Sequence, residues 1–148
     1  MPVLPITSRP GTAEVRLIEL AGAYGAICNG GIRVTPTAIA SFETGGRAAE
    51  PARPAPVRVL APGVAADMQR MMAAVVARGS GRAAAVPGRL VIGKTGTTQD
   101  YRDAWFMGCT GGEVIGVWIG NDDDTPMRGV VGGSLPARLF HDIAVEIR

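Results

Sequence analysis

The sequence predicts an α+β fold, with helices and an antiparallel sheet in different parts of the chain. Two helical patterns occupy the first part, at residues 12–29 and from Pro62 onward. Three segments rich in β-branched and aromatic residues follow Pro87, and a last helical pattern covers residues 134–147. Because strands joined by short connections form hairpins, we expect the sheet to be antiparallel.

Length and composition favour a single folded domain and exclude several functions. Of the 148 residues 47% are hydrophobic and 19% are charged, which is typical of a globular protein. A net charge of +2 is too small for a nucleic-acid-binding surface, so no nucleic-acid partner is predicted. Residues 1–6 lack a basic flank and a long apolar run, and they predict neither a signal peptide nor a membrane segment.

The first helix and the segment after it are predicted from periodicity and turn signals. The helix ends at Asn29-Gly30-Gly31, a left-handed stop, and a strand at residues 37–43 follows. A turn at residues 44–46 closes a hairpin that returns at residues 57–60, with residues 47–56 as a loop. The apolar face of the helix comprises Leu17, Leu20, Ala21, Tyr24 and Ile27.

The second helix opens at Pro62 and ends at Arg78-Gly79-Ser80-Gly81. Its methionine-rich stripe resembles an adaptable binding face, but such a stripe is more typical of core packing, and we expect it in the core. The stripe comprises Val64, Met68, Met71, Met72, Val75 and Val76.

Three strands are predicted at residues 89–97, 103–109 and 113–120. The short connection Thr110-Gly111-Gly112 makes the last two a hairpin. A polar loop then leads to the helix at residues 134–147. One face of this helix carries Leu135, Leu139, Ile143 and Ile147.

The residues that most often bind metals are sparse. Cys28 and Cys109 are too few for a disulfide framework and lack metal-site spacing, so we expect buried thiols. His141, the only histidine, is expected to be structural. The run at residues 122–124 predicts a solvated loop rather than a metal site, because no further carboxylates lie at ligand spacing. No metal or cofactor is predicted.

Lys94 is the only lysine in a chain with fourteen arginines. An ammonium is a compact point charge that a guanidinium does not replace, which favours a specific role, although a lone lysine can also stand there by chance. Residues 88–95 match the phosphate-loop pattern G-x-x-x-x-G-K-T. A phosphate loop needs a strand before its first glycine and a helix after its lysine, and residues 90–92 and 96–100 predict neither, so nucleotide binding is disfavoured.

The segment Lys94-Thr95-Gly96-Thr97 also matches the substrate strand of serine acyl-transfer enzymes that act on penicillin-like or D-Ala-D-Ala substrates. Thr95 and Thr97 share one strand face, where their hydroxyls suit a carboxylate, and Gly96 leaves room for a second backbone. Strict alternation places Lys94 on the other face, so a long stem or a local twist must bring its ammonium round. Alternatively, Lys94 is an edge charge that prevents aggregation and the threonines are strand formers.

Over longer segments, the sequence resembles the class A penicillin-binding proteins, the bifunctional peptidoglycan synthases. The resemblance covers nearly the whole chain and is weakest at residues 1–10 and 47–56. It implies an incomplete penicillin-binding/β-lactamase-like transpeptidase fold, as a single partial domain over residues 1–148. A helical portion with a hairpin insertion spans residues 12–88, and the sheet strands and C-terminal helix span residues 89–148. The segments that carry the resemblance are Lys94-Thr-Gly-Thr-Thr-Gln-Asp-Tyr-Arg-Asp-Ala-Trp-Phe106, Gly116-Val-Trp-Ile-Gly-Asn-Asp122 and Gly132-Gly-Ser-Leu-Pro-Ala137. Upstream, residues 14–24, 29–31 and 75–82 also resemble that family.

The resemblance also implies roles for single residues. Thr95 and Thr97 would bind the substrate or β-lactam carboxylate on a strand that includes Gly96 and Thr98. Lys94 would support the proton network, and the Thr97 backbone N–H would form half of an oxyanion hole. The family's S-x-x-K nucleophile and S-x-N motifs do not occur here, so we expect no activity from this chain alone. The serines are Ser8, Ser41, Ser80 and Ser134.

The implied partners are a peptidoglycan stem peptide or a β-lactam, once the site is completed, and a complementary N-terminal transpeptidase part. Without that part, an open sheet edge and an apolar patch are expected, which would make the chain marginally stable, oligomeric or dependent on another polypeptide. The family is periplasmic and anchored to the inner membrane, whereas this chain made alone is expected in the cytoplasm. The alternative function is a non-catalytic module that binds stem peptides or a protein.

Overall fold

A computed structural model of the chain describes residues 15–147 and confirms the predicted α+β class. The predicted helix start at Thr12 and the opening residues 1–6 lie outside this range. No helix within the range is long and apolar enough to cross a membrane. In chain order the elements are α1 (Leu17–Cys28), β1 (Ile32–Arg33), β2 (Phe42–Thr44), β3 (Arg47–Ala49), β4 (Val57–Arg58), α2 (Pro62–Arg78), β5 (Ile92–Thr97), β6 (Asp103–Thr110), β7 (Glu113–Gly120) and α3 (Leu135–Glu146).

The main sheet has the strand order β5-β6-β7, and both pairs are antiparallel, as predicted. Its first strand begins at Ile92 rather than at Arg89. Gly111 and Gly112 join β6 to β7 with φ angles of 61° and 93°. A residue with a Cβ rarely adopts these left-handed φ angles, so the two glycines permit the tight turn of the predicted hairpin.

Helices α1 and α3 cover opposite faces of this sheet. Phe106 and Met107 are consecutive in β6, so their side chains point to different faces. The Phe106 ring packs edge-to-face on Phe140 of α3, with 4.8 Å between ring centroids. On the other face, a Cβ added at Gly116 of β7 would touch both Met107 and Leu17 of α1. Helix α2 contributes to both cores, through Val76 on the α3 side and Met72 on the α1 side.

The apolar stripes of α2 and α3 are only partly buried. In α2, Met72 and Val76 are buried as predicted. Val64 and Met71 are exposed, so the prediction that they belong to the core was wrong. Helix α3 turns Ala137, Phe140 and Ala144 to the sheet, since small residues permit a close approach. Three of the four residues of the predicted stripe, Leu135, Leu139 and Ile143, are therefore exposed as an apolar patch, whereas Ile147 packs against the core.

The predicted hairpin insertion differs in its pairing. β2 pairs with β3 across the turn at Gly45 and Gly46, and β3 lies in the predicted loop. The predicted returning strand, β4, pairs instead with β1. The reason is local: a two-residue turn with two positive φ angles brings the residues directly beside it together, so β2 cannot pair farther along the chain.

The two cysteines form a disulfide, so the prediction of buried thiols was wrong. Cys28 is the last residue of α1 and Cys109 lies in β6, with 6.5 Å between their Cα atoms. They are 81 residues apart in sequence, a separation that carries no disulfide signal on its own. Packing of α1 on the sheet is what brings them together.

Candidate functional site

The candidate site is built on β5, an edge strand that pairs only with β6 among the described strands. Its first two residues, Ile92 and Gly93, are buried, while Lys94 and Thr97 are exposed. Among the described residues, one side of the strand backbone is left open for pairing with an extended ligand. Lys94 lies inside a strand, and a single 3-10 turn, Gln99–Tyr101, comes after Thr98, so the phosphate-loop interpretation has no support from the backbone.

The hydroxyls of Thr95 and Thr97 share the strand face on the α3 side. Thr97 Oγ1 accepts a hydrogen bond from the Gly132 backbone N–H at 3.0 Å. Thr95 Oγ1 lies 2.7 Å from Ser80 Oγ, within hydrogen-bond distance. Both hydroxyls are thus held by segments far away in sequence, the end of α2 and the approach to α3.

The Lys94 side chain starts from the other strand face and bends back to the strand. Its Nζ donates a hydrogen bond to the backbone carbonyl of Thr95 at 2.5 Å, so the flexible stem carries the ammonium back to the strand. This contact keeps the ammonium beside the strand backbone. None of the salt bridges within residues 15–147 involves Lys94, so its charge is available to attract an anion.

Gly132 and Gly133 bring a loop backbone flat against β5. A Cβ at Gly132 would collide with the carbonyl oxygens of Gly96 and Trp105, and one at Gly133 would collide with the Ser80 carbonyl. Both glycines belong to a segment that carries the family resemblance, but the sequence pattern indicates no role for them. In the structure, Gly132 and Gly133 place their backbone against β5 and Ser80, next to the threonine hydroxyls.

Thr98 lies at the turn after the strand. Its Oγ1 accepts from the Asp103 backbone N–H at 2.8 Å and donates to Asp103 Oδ2 at 3.0 Å. Asp103 Oδ1 accepts from Trp118 Nε1 at 2.8 Å. Between Thr98 and Asp103 in the sequence, Asp100 and Tyr101 adopt φ angles of 59° and 57°, a conformation that is unusual for residues other than glycine. Thr98 is therefore engaged in holding this turn.

Other candidates from the sequence lie away from β5. His141 belongs to α3, and its Nδ1 is 2.7 Å from the Ala85 carbonyl oxygen. Asp123 accepts hydrogen bonds from the hydroxyl and backbone N–H of Thr125, which lower the pKa of its carboxyl. No group of three potential metal ligands occurs within residues 15–147.

A cavity between the first helix and the sheet is also separate from the candidate site. It measures about 730 Å³ and lies between α1 and the far end of the sheet, beside the Cys28–Cys109 disulfide. None of the residues 94–98 lines it.

The arrangement on β5 suits recognition of an anion at the end of an extended ligand. Two hydroxyls and one ammonium can donate to a carboxylate, and the open strand edge can pair with the ligand backbone. Ser80 is the serine that lies at the strand, and its hydroxyl contacts the Thr95 hydroxyl rather than a base. A serine needs a neighbouring base to become a nucleophile, and the partner described for the Ser80 hydroxyl is another hydroxyl. Sequence reasoning missed the contribution of Ser80 and Gly132, because only the fold brings them to β5.

Comparison with known proteins gives one consistent family. Residues 11–144 match the family described as the penicillin binding protein transpeptidase domain. Penicillin-binding protein 1A of Aquifex aeolicus is 39% identical over 113 residues, which cover 76% of this chain and 16% of that protein. The Neisseria gonorrhoeae protein of the same name is 36% identical over 141 residues, which cover 89% of this chain and 18% of the relative. The chain thus spans less than a fifth of the length of these relatives.

The fold agrees with that family. The crystal structure of the D,D-transpeptidase domain of a peptidoglycan glycosyltransferase from Eggerthella lenta superposes with a TM-score of 0.69 at 28% sequence identity. The match covers 96% of this chain and 36% of that one. The described elements therefore form part of a penicillin-binding/β-lactamase-like fold, as the sequence predicted.

Proposed function

The chain belongs to the family of penicillin-binding protein transpeptidase domains, and from this premise we propose that it supplies the substrate-binding strand of a D,D-transpeptidase that cross-links peptidoglycan. One observation carries the proposal. The Thr95 and Thr97 hydroxyls lie on one face of an open edge strand, and the Lys94 ammonium bends back to that strand. The ligand we propose is the C-terminal D-Ala-D-Ala of a stem peptide, or a β-lactam that mimics it.

Each site residue then has a physical task. Thr95 and Thr97 donate to the terminal carboxylate, and Lys94 adds the positive charge and supports proton movement. The substrate backbone lies beside Gly96, where the missing side chain leaves space on the strand. The backbone N–H of Thr97 forms half of an oxyanion hole. Thr98 ends the strand and fixes the turn below it through Asp103.

The proposed role excludes turnover by residues 1–148 alone. Loss of the nucleophile from such a site removes most of its ~10⁶-fold contribution to turnover. We propose that the chain corresponds to a partial transpeptidase domain that needs a complementary N-terminal part. The match to only 36% of the solved Eggerthella lenta chain and the exposed apolar stripe of α3 support this proposal. Without such a part, the same strand makes the chain a non-catalytic module that binds stem peptides.

The Cys28–Cys109 disulfide supports an oxidising compartment as the place of action. Disulfides persist in secreted and periplasmic proteins and are rare in the cytosol of mesophiles. We therefore propose a periplasmic location, rather than the cytoplasmic one expected for the chain made alone.

Ligand binding can be tested by nuclear magnetic resonance on the ¹⁵N-labelled chain. A D-Ala-D-Ala peptide acid should shift the backbone signals of residues 94–98, and its C-terminal amide should shift them far less. The variant Lys94→Ala should weaken binding of the acid, whereas Arg70→Ala, on the exposed face of α2, should not. Equal shifts with acid and amide, or shifts confined to other regions, would contradict carboxylate recognition by β5.

Acylation needs a separate test. We expect no covalent band when the purified chain is treated with fluorescent penicillin and run on a denaturing gel. A band from this chain alone would reveal an active nucleophile and would overturn the proposal that the chain depends on a second part.

A further inference from the structure

Ser80 stands where α2 ends and contacts the candidate site directly. Its Oγ lies 2.7 Å from Thr95 Oγ1, and either atom can be the donor in this hydrogen bond. Ser80 follows Gly79, whose backbone N–H donates to the Val75 carbonyl and ends the helix. The serine is therefore fixed to α2, and its hydroxyl projects to β5 from another element.

The Thr95 side chain lies near two other segments of the chain. The hydroxyl points to Ser80, and the Thr95 methyl lies 3.8 Å from the position of a Cβ at Gly133. The Gly133 backbone is in turn pressed against the Ser80 carbonyl. Ser80 thus contacts the hydroxyl of Thr95 and lies beside the Gly133 backbone.

The direction of the hydrogen bond matters for an anionic ligand. A hydroxyl has one proton to donate and two lone pairs that accept. Thr97 accepts from the Gly132 N–H, which leaves its own proton for the ligand. A carboxylate only accepts, so Thr95 can donate to it only when Ser80 is the donor in their shared bond.

We infer that Ser80 is a positioning residue that donates to Thr95 and thereby directs the Thr95 proton toward the ligand carboxylate. This role rests on the proposed function. It makes Ser80 and the Gly132 N–H equivalent: each occupies an acceptor lone pair of one threonine, and both threonine protons remain for the ligand. Ser80 itself is not a catalytic residue in this scheme, because it acts through Thr95.

The test compares Ser80→Ala with Ser80→Thr in the full chain. Resonance titration gives the dissociation constants of the D-Ala-D-Ala acid and of its amide. We expect Ser80→Ala to weaken binding of the acid by about five-fold, the effect of about one neutral hydrogen bond, and to leave the amide unchanged. Ser80→Thr retains the hydroxyl and should bind the acid within about two-fold of the parent chain.

A second measurement makes the inference independent of ligand binding. Three-bond couplings report the χ1 angle of Thr95 in the free chain. We expect a single rotamer in the parent and in Ser80→Thr, and averaging over several rotamers in Ser80→Ala. An unchanged acid affinity or an unchanged single rotamer in Ser80→Ala would overturn the inference. If the parent bound acid and amide equally, the proposed function would fail, and the couplings would still decide whether Ser80 fixes the Thr95 side chain.

Discussion

The backbone N–H of Gly132 donates to the hydroxyl of Thr97, and this 3.0 Å bond ties the loop before α3 to the candidate site. The contact requires the loop to lie flat on the sheet, because a Cβ at Gly132 would overlap the carbonyl oxygens of Gly96 and Trp105. The orientation of the Thr97 hydroxyl therefore depends on a glycine that is far from it in sequence.

We expect Gly132→Ala to destabilise the chain by about 1–3 kcal/mol, because both overlapping atoms belong to the backbone and cannot move aside. The shifted loop should also withdraw the donor from Thr97 and weaken binding of the D-Ala-D-Ala acid. Urea denaturation and resonance titration measure the two effects. Gly63→Ala is the matched control, since a Cβ there meets nothing within 4 Å and its place in α2 favours alanine. Equal stability of the two variants would contradict this packing.

The disulfide between Cys28 and Cys109 should contribute strongly to stability. A bridge that closes a loop of this length restricts the unfolded chain, which corresponds to roughly 4 kcal/mol in the entropic account. Reduction should therefore lower the urea midpoint of the parent chain. The double variant Cys28→Ala, Cys109→Ala should show the lower midpoint with or without reductant. Alkylation of both cysteines in the unreduced chain would disprove the bridge.

Gly93 connects the core to the candidate site, and we expect Gly93→Ala to disturb both. A Cβ there would lie 2.5 Å from the Cζ atom of Phe106, whose ring is fully buried against Phe140. Overpacking of this kind typically costs about 1–3 kcal/mol. The smaller side chain in Phe106→Leu should relieve part of that cost, so the double variant should be more stable than the sum of the single effects. Additive effects would show that the two positions do not press on each other.

The sheet could be predicted because its signals are local. β6 and β7 are rich in β-branched and aromatic residues, and the Gly111-Gly112 turn fixes their register. The edge position of β5 agreed with the prediction for Lys94 to Thr97, since an extended segment with a central glycine is typical of an open strand.

Contacts between distant segments could not be predicted in the same way. The Ser80–Thr95 hydroxyl pair depends on where α2 ends relative to β5, and the Cys28–Cys109 bridge depends on how α1 packs. The orientation of α3 was equally hidden. The pattern of Leu135, Leu139 and Ile143 did not show which face of α3 meets the sheet, and the buried residues are Pro136, Ala137, Phe140 and Ala144.

At the start of α1, we expect Glu19 to titrate far below an ordinary glutamate. The side-chain hydrogen bond from Arg16 lowers the pKa of this carboxyl to about 2, with the Arg16 backbone N–H as a further donor. The contact therefore stabilises the folded chain above the ordinary glutamate pKa of 4.5, and the contribution is lost as the pH falls toward 2. Because both groups are exposed, salt should weaken the effect.

Carbon-detected titration of the Glu19 carboxyl measures this pKa. Arg16→Ala should return the midpoint toward the ordinary value, and Arg70→Ala, which lies on α2, should leave it unchanged. A Glu19 midpoint near 4 in the parent chain would show that the contact does not persist in solution.

The exposed stripe of α3 should drive association of the chain. Leu135, Leu139 and Ile143 recur every four residues, and their exposed fractions are 44%, 38% and 42%. Adjacent apolar side chains on one helix face favour contact with another apolar surface. We therefore expect the chain to self-associate at micromolar concentrations, and we expect Leu139→Glu with Ile143→Lys to reduce that association.

The free energy of unfolding of the same double variant should lie within about 0.5 kcal/mol of that of the parent chain, because neither side chain belongs to the buried face of α3. Val145→Glu is the matched control: Val145 is 49% exposed and lies about 120° around the helix from Leu139. Light scattering across a concentration series distinguishes the variants. If the stripe is the docking face, Val145→Glu should associate like the parent and the double variant should not. A parent chain that stays monomeric throughout the series would instead show that this stripe does not promote self-association.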